Sequence, residues 1–151
     1  MRVVRVTRAH LTQIAALEQL CFHAPWSEGA LELLCGDTAT GFVVLDGEAV
    51  VAYGGMLCVL DEGQITNIAT HPDHRRRGCA DAILGALLQE AARRALSFVT
   101  LEVRESNAPA IALYRRHGFV PVGRRPHFYK NPDEAALLLQ SDAPYTTANG
   151  D

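Results

Sequence analysis

The chain has 151 residues, 48% hydrophobic and 21% charged, with a formal net charge of −3. At roughly 100–200 residues per domain this is one domain of ordinary globular composition, and the negative balance speaks against general nucleic-acid binding. No apolar run reaches the roughly 18 residues that span a bilayer, and Met1 to Arg8 alternates Val with Arg instead of forming a secretory leader, so a cytoplasmic protein with no membrane partner is expected.

Arg2 to Val6 alternates polar and apolar side chains, as a half-buried strand does. Thr7 can cap a helix whose apolar positions Leu11, Ile14, Leu17 and Leu20 recur every third residue. After the Pro25-Trp26 bend, Ser27 and Glu28 open a short second helix through Leu34, which Gly36 closes. Thr40 to Leu45, Glu48 to Val59 and Gln64 to Thr70 are rich in Val, Ile and Tyr. Asp46-Gly47 and Asp61-Glu62-Gly63 separate them as hairpin turns, which predicts three antiparallel strands. Beyond the His71-Pro72 loop, Ile83, Leu84, Leu87, Leu88, Ala91 and Ala92 repeat at helical period and predict a long amphipathic helix from Cys79 to Ala95. Phe98 to Val103 is a short apolar strand; Asn107 then caps a helix with Pro109 in its first turn, and Gly118 ends it. Strands follow from Phe119 and from Glu134 to Leu139, while Ser141 to Asp151 is polar and aperiodic. A domain over residues 1–140 with a flexible tail over 141–151 is therefore expected. A strand-rich middle flanked by helices implies a mixed sheet covered by helices, an α/β or α+β layer fold.

The sharpest local feature is Arg75-Arg76-Arg77-Gly78-Cys79-Ala80, between a predicted strand and the start of the long helix. Free N–H groups and the dipole at a helix N-terminus favour a phosphate. Gly78 and Ala80 allow close backbone approach, and the arginines add charge-assisted hydrogen bonds. A pyrophosphate cradle and a solvated basic loop with a glycine turn are equally compatible with this spacing alone. The four cysteines, Cys21, Cys35, Cys58 and Cys79, form no C-x-x-C pair, and the six histidines lack regular ligand spacing, so no metal site and no disulfide is expected.

Arg75-x-x-Gly78-x-Ala80 resembles the (Gln/Arg)-x-x-Gly-x-(Gly/Ala) coenzyme A signature of the GNAT superfamily of N-acetyltransferases. Asn67-Ile68-Ala69-Thr70-His71-Pro72 upstream, Leu101 to Asn107 downstream, and Ala110-Ile111-Ala112-Leu113-Tyr114 before Gly118-Phe119 resemble, in order and spacing, the bacterial ribosomal-protein-alanine N-acetyltransferases. Pro25-Trp26-Ser27 and Leu60-Asp61-Glu62 extend the likeness over residues 3 to 139.

The resemblance implies a GNAT-type sheet, mixed and mostly antiparallel, whose fourth and fifth strands splay apart. Backbone groups of Ile68, Ala69 and Thr70 would then be free for a pantetheine arm, and Arg75, Arg76, Arg77, Gly78, Cys79 and Ala80 would hold the coenzyme diphosphate. Cys79 falls at the variable position of the signature and reads as a small packing residue. Acetyl-CoA is the implied cosubstrate. The attacking amine must be neutral, and a peptide α-amino group ordinarily titrates at about 7.7–8.0, so a base is useful. Glu102 matches the family's catalytic glutamate. Tyr114 matches the acid that protonates the leaving thiolate and Asn107 an additional coenzyme contact, and both would line the cofactor channel. The plainer alternatives are a Glu102 that faces solvent or pairs with Arg104, and a Tyr114 packed under the sheet.

The implied acceptor groove is built from Phe22 to Trp26, Leu60 to Glu62 and Arg125 to Lys130, with Trp26, Asp61, Glu62 and Tyr129 as substrate-binding candidates. Its expected occupant is a protein N-terminus, in particular alanine on a ribosomal protein. Lysine or a small amine is the alternative acceptor, and a non-catalytic acyl-CoA-binding module is the alternative of another class.

Overall fold

The computed structural model describes residues 1–145. Seven strands form one sheet in the order β1-β2-β3-β4-β5-β7-β6. They are β1 (Arg2–Arg5), β2 (Ala39–Asp46), β3 (Ala49–Val59), β4 (Glu62–Thr70), β5 (Phe98–Arg104), β6 (Val120–Tyr129) and β7 (Glu134–Asp142). Neighbours are antiparallel except β4 and β5, which run parallel. The helices are α1 (Leu11–Cys21), α2 (Glu28–Leu31), α3 (Cys79–Arg93) and α4 (Ala108–Arg116).

Successive strand side chains point to opposite faces, and here each face meets helices. Val44 packs with Ile83, Leu84, Leu87 and Leu88 of α3. Its neighbours Val43 and Leu45 pack with Ile14 and Leu17 of α1 and Leu31 of α2. Burying a large apolar side chain is worth roughly 1.5–3 kcal/mol, so the fully buried row along α3 is a principal anchor of the fold. Close approach of α3 depends on Gly54 of β3, where a Cβ would lie 2.4 Å from Ile83 Cγ2.

The sheet opens where the sequence resemblance places the splay. β4 and β5 pair only at Glu62↔Phe98, Gly63↔Val99 and Gln64↔Thr100. From Ile65 onward they part, while the other edge of β5 pairs with β7 along its whole length, Phe98↔Asp142 to Arg104↔Ala136. β4 also bulges. Its register against β3 passes from Gly54↔Ile68 to Met56↔Ile65, which leaves one extra residue at Thr66-Asn67.

Several expectations are corrected. Leu20 is 55% exposed, and the buried stripe of α1 runs Leu11, Ile14, Leu17, Glu18. At 3.6 residues per turn, a strict three-residue spacing drifts to the far side of the helix by its fourth member. The second helix starts as expected, with Ser27 Oγ accepting from Ala30 N–H at 3.1 Å, but tightens into a 3-10 turn over Glu32–Cys35. The turn between β3 and β4 falls at Leu60-Asp61, with Leu60 at φ 55°, while Glu62 and Gly63 already belong to β4. Gly63 is a packing requirement: a Cβ there would meet Met56 Sδ at 2.9 Å and Leu96 Cδ1 at 3.0 Å. The expected tail begins too early, because β7 runs to Asp142 and Tyr145 is buried with its hydroxyl donating to Leu96 O. The rest of that tail, 146–151, lies outside the described residues. Pro121 and Pro126 are tolerated in β6 because it is an edge strand.

Candidate active site

Between β4 and α3 the chain makes a 3-10 turn, Pro72–His74, capped by the His71 ring accepting from Asp73 N–H at 3.1 Å. Arg76 and Gly78 then take positive φ, 65° and 78°. Gly78 is the N-cap of α3, and nothing lies within 4 Å of where its Cβ would stand. Ala82 N–H, donating to Gly78 O at 3.0 Å, makes the first hydrogen bond of the helix, and no side chain caps the end. The amides of Cys79, Ala80 and Asp81 are therefore left for a ligand, at the positive end of the helix dipole. Arg75, Arg76, Gly78, Cys79 and Ala80 line a groove of about 590 Å³ with Ile68, Ala69 and Thr70 of β4.

These residues fit a diphosphate. Asp81, the carboxylate in the first turn, is drawn onto α4: its Oδ1 lies 3.0 Å from His117 Nε2 and its Oδ2 3.2 Å from Arg116 Nη2. Burial acts to raise the Asp81 pKa, but hydrogen bonds from His117 and Arg116 outweigh it and hold the carboxyl below its usual value.

Where β4 and β5 part, a second groove of about 710 Å³ opens, lined by Glu102, Tyr114, Trp26 and Tyr129. Ile68, Asn107 and Tyr114 line both grooves, so the two are continuous. The Glu102 side chain is 16% exposed, and its nearest cation is Arg125, Nη1 to Oε1 3.9 Å. The alternative pairing with Arg104 is not formed. Arg104 donates instead to Glu134 Oε1 at 3.1 Å, Pro132 O at 3.0 Å and Lys130 O at 2.9 Å. Tyr114 meets Phe119 edge-on, ring centroids 5.9 Å apart. Burial, with Tyr129 adding to it, pushes the Tyr114 pKa up to about 12, so the hydroxyl keeps its proton at neutral pH. Asn107 Oδ1 caps α4, accepting from Ala110 N–H at 3.3 Å.

The hairpin of β6 and β7 forms the other wall. The Arg104 guanidinium lies 4.5 Å above the centre of the Tyr129 ring and Phe128 packs edge-on against that ring at 5.0 Å. Burial and then the charge of Glu102 raise the Tyr129 pKa to about 12.

Three candidates are not brought to either groove. Asp61 and Glu62 sit at the closed end of the β4/β5 pair, because the turn before β4 and the gap beyond Ile65 are at opposite ends of that strand. Asp61 is used locally: its Oδ2 accepts from Ser97 Oγ at 2.6 Å and its carbonyl from Ser97 N–H at 2.6 Å. Arg77 is absent from the cradle lining although Arg75 and Arg76 are in it, since a turning loop cannot send three consecutive side chains to one side. Conversely, sequence reasoning missed Glu18, fully buried on α1. Its signal was a carboxylate one helical turn after Ile14, on the apolar stripe. Asp81 and Arg116 were missed too, because they come from different helices, and Arg104 was weighed only as a partner of Glu102.

The profile described as the acetyltransferase (GNAT) family matches residues 11–119. The ribosomal protein bS18-alanine N-acetyltransferase of Escherichia coli (strain K12) is 36% identical over 125 residues, which is 82% of this chain and 84% of that protein. The Salmonella typhimurium protein of the same name is 35% identical over the same shares. The crystal structure of the Escherichia coli ribosomal-protein-S18-alanine N-acetyltransferase matches with a TM-score of 0.86 at 31% identity, covering 93% of this chain and 92% of that one. Ard1 from Thermoplasma volcanium shares the fold, with a TM-score of 0.81 at 20% identity over 93% of this chain and 96% of that one. With free amides at the start of α3 facing a groove that opens into a splayed sheet, this chain belongs to the GNAT family and is an N-acetyltransferase that takes acetyl-CoA as its cosubstrate.

Proposed function

We propose that the acceptor is the α-amino group of a protein N-terminus, alanine on a ribosomal protein, with Glu102 as base and Tyr114 as acid. The observation that carries this reading is that one gap is lined from β5 by Glu102 and from α4 by Tyr114, and runs on into the cradle at Gly78. Relatives at 36% and 35% identity are named for acetylating the alanine of ribosomal protein bS18. The walls of the second groove, Phe22, Trp26 and Tyr129, are aromatic and suit an extended peptide end.

The bound cosubstrate supplies an already activated thioester, so no acyl-enzyme is needed. Ile68, Ala69 and Thr70 border the gap left by β5, and their backbone supports an extended pantetheine arm. Glu102 accepts the proton of the amine, directly or through one water, as the nitrogen bonds to the acetyl carbon. The carbon–sulfur bond breaks, and Tyr114 gives its proton to the sulfur. A backbone N–H of β4 stabilises the oxygen on which charge builds.

A thiol-release assay with acetyl-CoA tests this reading against N-terminal-alanine peptides, the same peptides with blocked N-termini, lysine peptides and small amines. Turnover with free alanine termini and none with blocked ones is expected. Turnover confined to lysine peptides or small amines would overturn the N-terminal assignment.

A further inference from the structure

Glu18 stands on the buried stripe of α1 at 0% exposure, where the periodicity asks for an apolar side chain. Taking a carboxylate out of water is costly unless donors meet its lone pairs, and both oxygens of Glu18 have them. Oε1 accepts from Trp26 N–H at 2.8 Å. Oε2 accepts from Asn67 Nδ2 at 2.9 Å and from the Tyr53 hydroxyl. Burial, and then the hydrogen bond to Glu18, push the Tyr53 pKa well above its ordinary value, so this phenol remains a donor.

The three donors come from different places. Trp26 belongs to the loop after α1 that walls the second groove, and Asn67 belongs to the extra residue of the β4 bulge; both line the groove with Glu102. Tyr53, on β3, lines neither groove. One turn of α1 further on, Cys21 Sγ approaches Thr70 O at 3.7 Å, a second tie between α1 and β4. A hydrophobic side chain at position 18 would fill the space but leave the Trp26 amide and the Asn67 side chain without this acceptor.

We propose that Glu18 is a positioning residue for the acceptor: by bonding Trp26 N–H and Asn67 together it sets the acceptor-side wall opposite Glu102, while the coenzyme cradle at Gly78 is independent of it. The proposal rests on the reading that this groove takes the amine, and not on which amine it is.

The test compares E18Q, N67A and Y53F at a temperature below every melting point, measuring acceptor KM, kcat and acetyl-CoA Kd by calorimetry. The Glu18→Gln amide keeps the shape but turns an NH2 group toward donors, so one groove contact is lost. Acceptor KM rises roughly tenfold, the size expected when a buried donor loses its acceptor, while acetyl-CoA Kd stays at the wild-type value. N67A moves in the same direction. Y53F removes a donor to the same carboxylate without touching the groove: it lowers the melting temperature and leaves acceptor KM unchanged. Wild-type acceptor KM in E18Q overturns the proposal, or in N67A should E18Q fail to fold. So does a Y53F variant whose acceptor KM rises as far as that of the groove variants. The acceptor is whichever amine the wild type turns over, so failure of the N-terminal reading shows in the wild type and failure of this proposal in the variants.

Discussion

A phenol whose pKa stands near 12 is a proton donor across the whole neutral range, and at Tyr114 burial is the first cause of that rise. In the proposed mechanism the protonated form is the active one, so activity is present below the pKa and lost above it. The kcat profile is therefore expected to show no tyrosine-like fall at pH about 10, the ordinary tyrosine value, when followed by thiol release. Tyr114→Phe is expected to lower kcat on the order of a hundredfold, with acetyl-CoA affinity and melting temperature kept. Glu102→Gln should do the same through the base. The resemblance pointed to both candidates, each inside a regular element, Glu102 on β5 and Tyr114 on α4, and the fold brings them to one groove. Asp61 and Glu62 were misplaced because a turn's position along the sequence does not reveal which end of the sheet it occupies.

The proposed coenzyme cradle is a property of one junction, β4 to α3, and its donors are backbone amides. Gly78 sits at φ 78° with open space where a Cβ would stand. A side chain there adds left-handed strain of roughly 1–2 kcal/mol and stands over the amides proposed to take the diphosphate. Gly78→Val is expected to weaken acetyl-CoA binding at least tenfold by calorimetry, a change of about 1.4 kcal/mol, with far-ultraviolet circular dichroism unchanged. Gly54 has the opposite problem, no space at all, since a Cβ would be 2.4 Å from Ile83 Cγ2. Gly54→Ala should push α3 off the sheet and destabilise the fold by roughly 1–3 kcal/mol, read as a lower midpoint in urea. Gly78 was readable from sequence as a glycine before a helix, whereas Gly54 was hidden in an apolar strand and its role exists only against α3.

For the molecule as a whole, the buried carboxylate of Glu90 ties α3 to β1, with Arg93, Arg94 and Arg5 around it at 2.5, 2.8 and 2.9 Å. Hydrogen bonding from Arg93, against burial and aided by Arg5 and Arg94, holds its pKa far below the usual carboxylate range. A lowered folded pKa gives stability that is present above the unfolded value, about 4.3, and lost as pH falls through the folded one. Tyr114 and Tyr129 work with the other sign: their folded values near 12 give stability that is full below about 10 and lost as pH rises toward 12. Melting temperature is therefore expected to hold a plateau between these limits and to fall on both sides. Glu90→Gln should lower the plateau and flatten the acid limb.

Local chemistry in the sequence by itself determined the hairpin at Asp46-Gly47, the long helix from Cys79, the cap at Asn107 and the glycine that precedes the long helix, because each depends on residues a few positions apart. Tertiary structure decided the rest. The pairing of β7 with β5, the short ladder that lets β4 and β5 part, and the Tyr53 and Asn67 donors gathered on Glu18 all join distant parts of the chain. Such contacts are selected by how two faces of one sheet are covered at once, which no local pattern encodes.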